Sequence, residues 1–329
     1  VLLMDDDIIA DWNGVQRAIS FLSICKPEQQ ETLTIGGTMM DITQPAMQFE
    51  AGACCQNRCL TGIQPQADLT TLSSLQARMQ PIPANYAAWW MCLLPVAAMK
   101  QAGLPMPFFI KMDDVEYALQ IKEQVVMMTG VCVWHENFHL KYAPWNEYYI
   151  TRNGCITYAL HGQAKNALAV TLELWRTVLH LLFLHRYDTA KFVLQGYRDF
   201  LRGWKWLQKT DAITLHRQIL QQQQAATEQF QTACTEVPNS IPQVSFFEAT
   251  RAAVQKQKSV FLFHPSTKKG FYASRKKGTA FQLLLKMGGI SLRMLATYRS
   301  VVQGFQKNRT ILCEDAAWNR RNQHNFEGK

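Results

Sequence analysis

The chain has 329 residues, of which 48% are hydrophobic and 18% charged, with a formal net charge of +9. That length suits one large domain or two ordinary ones, and the apolar content excludes general disorder. The positive excess lies late, in Lys268-Lys269, Arg275-Lys276-Lys277 and Arg320-Arg321. Such runs read either as a solvated surface or as attraction to anionic lipid or an anionic glycan carrier, a peripheral membrane contact. No zinc-finger, helix-turn-helix or RNA-binding motif accompanies them, so nucleic acid is not expected as a partner.

The chain opens on Val1-Leu2-Leu3-Met4-Asp5-Asp6-Asp7-Ile8, an apolar run that ends in three carboxylates. The run reads as a buried strand, and acids just past its end can face a cleft. Three adjacent acids repel one another, so two readings stay open: a site for a divalent ion that neutralises them, or a solvated turn. No basic n-region precedes the run, and the sequence reads as a fragment without signal peptide or natural start. Asp11 or Asn13 is expected to cap a helix to about Cys25, with Trp12, Val15, Ala18, Ile19 and Leu22 on one face. Thr32 to Met40 reads as a strand whose Gly36-Gly37 marks a bulge or a close backbone approach, with Ala46 to Ala53 pairing to it. Gln56 to Pro83 is polar, holds three prolines and reads as a long loop.

Asn85 to Cys92 reads as a strand whose adjacent indoles, Trp89 and Trp90, point to opposite faces, so that one can be core while the other is free for a ligand, or both are core or interface residues. Pro95 to Ala102 is a short helix, and Phe108 to Lys111 a strand that delivers Asp113 and Asp114. The following helix runs to about Glu123, and acids at its N-terminus also suit the helix dipole without any catalysis. A further strand carries Trp134-His135. Two carboxylates and an imidazole suit Mn²⁺ or Mg²⁺, and the remaining acid pair is free for general base work.

Helical patterns follow at roughly 145–161, 166–186, 189–209 and 212–235, with a late strand at Val260-Phe261-Leu262-Phe263 and a helix at 279–305. The expected division is 1–160 and 161–329, the latter a mainly helical domain whose amphipathic faces pack as a bundle or as a homo-oligomer interface. Nine scattered cysteines, with no second ligand pair at zinc spacing, read as reduced packing residues of a cytoplasmic protein. Leu172 to Leu184 is interrupted by Glu173, Arg176 and His180 and is too short to span a bilayer.

The order D-D-D (Asp5 to Asp7), W-W (Trp89, Trp90), F-I-K-x-D-D-x-E-Y (Phe109 to Tyr117) and W-H (Trp134, His135) resembles the family 2 glycosyltransferases of GT-A fold. Among these it is most similar to the galactofuranosyltransferases that polymerise cell-wall galactan, over Val1 to about Asn153. The resemblance implies an α/β fold, a partial GT-A domain with a Rossmann-like mixed sheet, whose nucleotide-binding strands would precede Val1. It implies that Asp5, Asp7 and His135 ligate the metal, with Asp6 in an orienting or ribose-contacting role. It also implies an inverting displacement in which Asp114 is the general base, Asp113 the alternative base, and Asp113 and Glu116 position the acceptor. Trp89, Trp90, Phe138 and Arg152 would complete the donor and acceptor sites. The donor would be a UDP-linked sugar, the acceptor a glycan or lipid-linked glycan, and the location the cytoplasm or the inner face of the cell membrane. Phe138 stands where these enzymes carry a second tryptophan, and Ile150 where some carry a histidine. Those departures keep open a related transferase using another nucleotide-sugar, such as a rhamnosyl donor. A non-catalytic glycan-binding homologue is the reading from another class.

Overall fold

The computed structural model describes residues 1–64, 66–138, 142–163 and 166–319. The Arg320-Arg321 cluster lies outside them. The described residues form two compact units: Val1–Phe108 with 112–138 and Thr310–Asn319, and Phe109–Lys111 with 142–309. Helix Asn146–Leu160 groups with the second unit.

The first unit is built on a seven-stranded mixed sheet. Its central strand, Leu33–Asp41, is buried along its whole length. It pairs in parallel with Gln124–His135 and antiparallel with both Cys92–Leu93 and Met47–Glu50. A strand buried on both faces needs a continuous run of apolar and small residues, which Leu33 to Met40 supplies. Gly36 and Gly37 are there for close approach. A Cβ on Gly36 would lie 2.4 Å from Met127 Sδ and 2.7 Å from Ala87 Cβ, and one on Gly37 would lie 2.9 Å from Met91 Cβ.

The opening apolar run is not a buried strand. Only Leu2–Leu3 is extended; it is half-buried, pairs with Cys92–Leu93 and forms the edge of the sheet, while Val1 and Met4 to Asp7 are exposed. The helix Trp12–Ile24 is capped by Asp11, whose Oδ1 accepts from Asn13 N at 3.0 Å. Val15, Ala18 and Leu22 of the expected face do pack inward, joined by Gly14, whereas Trp12 and Ile19 are exposed. Gly14 faces the Gly130–Cys132 backbone, where a Cβ would make ordinary contact at 3.5 Å.

Three further expectations are corrected. Gln56 to Pro83 is not a structureless loop: it contains the second strand of the hairpin Ala53–Gln56/Cys59–Gly62, the strand Ala67–Asp68 and the helix Leu72–Arg78 capped by Thr71. Trp89 and Trp90 lie in a turn, and the strand begins only at Cys92. Phe108 to Lys111 is irregular, with positive φ at Phe109 (76°), Lys111 (65°) and Met112 (70°). The reason for the last lies in the second unit, where Asn153 Nδ2 donates to the carbonyls of Ile110 and Lys111, both at 2.9 Å. Those carbonyls are then satisfied by a side chain instead of a neighbouring strand.

The second unit is mainly helical. Asn146–Leu160, Ala167–Phe183, Tyr187–Phe200 and the long Lys277–Lys307 pack together, with Trp204–Lys209 and Ala212–Gln224 beside them. The pattern expected as one helix over 189–209 is broken at Gly203, whose φ of 81° ends one helix and opens the next. Besides helices the unit holds a four-stranded sheet in the order Thr232–Ala233, Lys269–Ser274, Ser259–Phe263, Gln243–Ser245, of which one strand was legible in sequence. Fully buried Glu228 caps the helix Tyr187–Phe200, accepting from Asp188 N at 2.6 Å and Thr189 N at 3.1 Å. No helix among the described residues is long and apolar enough to cross a membrane.

Candidate metal centre

The strand Gln124–His135 ends where the strand Ile8–Ala10 begins, because the two run antiparallel with Ile8 opposite His135. The acids just before Ile8 are thereby brought to the histidine. The chain bends at Asp6 and Asp7 just before that strand, and Asp5 and Asp7, not Asp6, are the acids that reach the imidazole. One ligand atom each from Asp5, Asp7 and His135 lie within 4.8 Å of one another. His135 Nε2 is 3.2 Å from Asp7 Oδ1 and 4.0 Å from Asp5 Oδ2. The imidazole is buried whereas both carboxylates are about half exposed, so the cluster opens to solvent. Asp6 is exposed and outside the cluster.

The tautomer follows from the neighbours. His135 Nδ1 faces the carbonyl oxygen of Glu136 in a short contact, and a carbonyl only accepts, so Nδ1 carries the proton. The lone pair of a neutral ring then sits on Nε2 and points at two carboxylates. That arrangement is repulsive unless a positive charge, a proton or a divalent cation, stands between them. A backbone acceptor on the distal nitrogen is the usual support of a ligating histidine, and the donor set of two carboxylates and one imidazole fits Mn²⁺ or Mg²⁺.

The ring is held on its face as well. Phe138 lies 4.8 Å from the His135 ring centroid and 5.9 Å from both Trp90 and Phe49. Trp90 is itself pinned, its Nε1 donating to Gly37 O at 2.9 Å. A row of rings thus runs from the central strand to the imidazole. Asp41, opposite His135 in the parallel register, fixes the adjoining turns. Burial alone would push its carboxyl up, but hydrogen bonds from the Thr43 hydroxyl, the Thr43 and Gln44 amides and the Asn137 side chain outweigh this and hold it below the usual range.

The other expected residues fall as follows. Asp113 and Asp114 open the helix Asp113–Ile121, and Asp114 Oδ1 accepts from Val115 N at 2.7 Å. Asp114 lies within electrostatic reach of Cys55, Tyr86 and Cys92. Cys92 pairs with Leu3, two residues before Asp5. Trp89 packs edge-on against Tyr117 of this helix at 6.0 Å and stays half-buried. Glu116 points inward, fully buried, with Oε2 3.4 Å from Met106 N, which braces the loop that precedes the helix. Arg152 belongs to the second unit and is buried there. It donates to Tyr148 Oη at 3.1 Å and to Asn153 Oδ1 at 2.8 Å, with its guanidinium over the rings of Tyr148 and Tyr149. Three left-handed non-glycine residues in the four before Asp113 cost roughly 1 kcal/mol each, and strain of that kind concentrates at functional sites.

Glu50 is a residue that sequence reasoning missed. It ends the strand Met47–Glu50, its carboxyl lies against Gly62, and no hydrogen bond among the described residues reaches it. Burial pushes its pKa up to about 7. A carboxyl whose folded pKa is raised stabilises the fold fully below its unfolded value near 4.5, and that contribution is lost as pH rises through about 7. Glu50→Gln should therefore match the parent near pH 4 and exceed it above pH 7.5 by about 1–2 kcal/mol after allowance for partial screening. Urea denaturation at both pH values checks this, and an equal offset at both would remove Glu50 as the cause.

Site and sheet together give an α/β chain with a carboxylate–imidazole cluster whose geometry could hold a metal ion. No family model matches the chain. Galactofuranosyltransferase GlfT2 from Mycolicibacterium smegmatis is 26% identical over 220 residues, which cover 62% of this chain and 33% of that protein. Galactofuranosyltransferase GlfT2 from Mycobacterium tuberculosis is 26% identical over 224 residues, 62% of this chain and 34% of its own length. This is distant homology to galactofuranosyltransferases, and the chain spans about a third of the length of these relatives.

Proposed function

We propose that this chain forms the metal- and acceptor-binding part of an inverting glycosyltransferase of GT-A type. Its donor would be a nucleotide-sugar, with UDP-galactofuranose as the donor to test first, and its acceptor a cell-wall or surface glycan. The observation that carries the reading is the convergence of Asp5, Asp7 and His135, supported by the similarity to galactofuranosyltransferases. A bound Mn²⁺ or Mg²⁺ would supply Lewis-acid neutralisation of the leaving diphosphate. Asp5, Asp7 and His135 would hold that ion, and Phe138 would keep the imidazole oriented. Asp114 would take the proton from the acceptor hydroxyl, with its Oδ1 steadied by Val115 N and Asp113 at its side. Trp89 offers the half-exposed indole against which a sugar ring can stack. Exposed Phe281, Leu285, Leu292 and Leu295 on the long helix support a homo-oligomer contact through the helical unit.

The test is release of nucleoside diphosphate from UDP-galactofuranose by the protein that carries this chain, with Mn²⁺ and a galactan oligosaccharide present. Turnover that EDTA abolishes and Mn²⁺ restores is the expected result. Turnover with a rhamnosyl donor alone would move the donor assignment. Oligosaccharide binding with no turnover on either donor would favour the non-catalytic, glycan-binding reading.

A further inference from the structure

Within the helical unit three helices line an open cavity of about 580 Å³ that plays no part in the chemistry above. Its walls come from Tyr187–Phe200, Ala212–Gln224 and Lys277–Lys307. Four of its lining residues are cations, Lys191, Arg198, Lys286 and Arg293, and none is acidic. Between them lies an apolar floor that includes Leu283 and Ile290. Asp188 pairs with Lys191 at 2.7 Å and Asp199 with Arg198 at 3.0 Å, and Arg293 donates to Leu201 O at 3.1 Å. No acid among the described residues pairs with Lys286.

Four like charges around one opening repel each other, and the two acids that offset them lie outside the lining. A cationic rim over an apolar floor complements a molecule that is anionic at one end and apolar at the other. The volume is that of a pocket for a small organic ligand, not for a lone ion. Gly289 opens the space further. It lies on the lining in ordinary helical conformation, and a Cβ built on it meets nothing within 4 Å. A larger side chain there would fill the cavity without displacing the fold.

We propose that this cavity is a binding site for an amphiphilic phosphate, a phosphate ester whose charged head is held by Lys286 and its three cationic neighbours and whose apolar substituent lies on the Leu283 and Ile290 floor. The proposal does not depend on sugar transfer at the metal centre. A phosphate head can be presented by a single soluble amphiphile, by a lipid surface or as the free ion, and the experiment separates these sources.

Dodecyl phosphate below its micellar concentration, inorganic phosphate, and vesicles with and without phosphatidylglycerol are each titrated into the protein by calorimetry. Dodecyl phosphate should bind at one site per chain, at least tenfold more tightly than inorganic phosphate and than dodecyl maltoside, which shares the chain but lacks the charge. Lys286→Glu should weaken it at least tenfold, and Gly289→Leu should abolish it while the thermal unfolding midpoint stays at or above that of the parent. Binding of inorganic phosphate as tight as the amphiphile would overturn the apolar half of the site. Equal binding of dodecyl maltoside would overturn the cationic half. Binding to anionic vesicles with none to monomeric dodecyl phosphate, or unchanged binding by Gly289→Leu, would overturn the cavity as the site.

Discussion

Asp114→Asn is expected to lower turnover by roughly 10²–10⁴-fold while metal and donor binding change little, the range general base catalysis usually supplies. Asparagine keeps the shape and the acceptor oxygen for Val115 N, so the helix start survives and only the basicity goes. The surroundings suit such a role. Tyr86 and Cys92, both buried, lie within electrostatic reach of Asp114, and burial raises the Cys92 thiol to about 12 and the Tyr86 hydroxyl well above its usual range. Both neighbours therefore stay protonated at neutral pH and do not compete for the proton. Asp113→Asn is the comparison within the pair. A large loss there with none at Asp114 would reverse the assignment, and no loss at either would remove the proposed displacement. Glu116→Ala should act differently, because the buried Glu116 side chain accepts from Met106 N and the substitution leaves that amide without its acceptor; it should reduce stability before it changes any rate constant.

What could be read from the sequence was the part governed by local pattern. The central strand and its glycines, the paired strand after it, the Asp11 cap and the main helices follow from alternation, helical period and capping chemistry, and the structure has them. The residues Asp5, Asp7 and His135 were legible because a D-x-D and a distant W-H are unusual enough to single out. Their convergence was expected from the family resemblance and not from local pattern, since it depends on the Ile8–His135 register across more than a hundred residues, and the structure has it. The irregular segment before Asp113 reads as a strand for the same reason: Phe108, Phe109 and Ile110 are β-prone in isolation, but the carbonyls of Ile110 and Lys111 are claimed by Asn153 from far along the chain. The indoles of Trp89 and Trp90 do diverge, one to Tyr117 and the other to Gly37 and Phe138, yet a turn rather than strand alternation sends them apart. Glu50 carried no local signal at all. A lone acid in a strand looks solvated until the hairpin that covers it is known.

Asp7→Asn and His135→Ala are each expected to weaken Mn²⁺ binding by at least about 10²-fold, measured by electron paramagnetic resonance of free Mn²⁺ or by calorimetry. Removing a ligand should cost more than the 10–100-fold typical of a residue that merely orients one. Phe138→Ala belongs to that second class, because the ring supports the imidazole without offering a donor atom. Asp6→Asn should change affinity little, since Asp6 is exposed and stands outside the cluster. The affinity should also fall as pH is lowered, because protons and the cation compete for the same lone pairs. The arrangement contains its own alternative, in which a proton on Nε2 satisfies Asp7 and the cluster is an ion pair. That reading predicts no Mn²⁺ uptake by the parent. A metal site instead predicts tight uptake that Asp7→Asn and His135→Ala both destroy and Asp6→Asn spares. If Asp6→Asn were the damaging change and Asp7→Asn the silent one, the ligand assignment would move from Asp7 to Asp6.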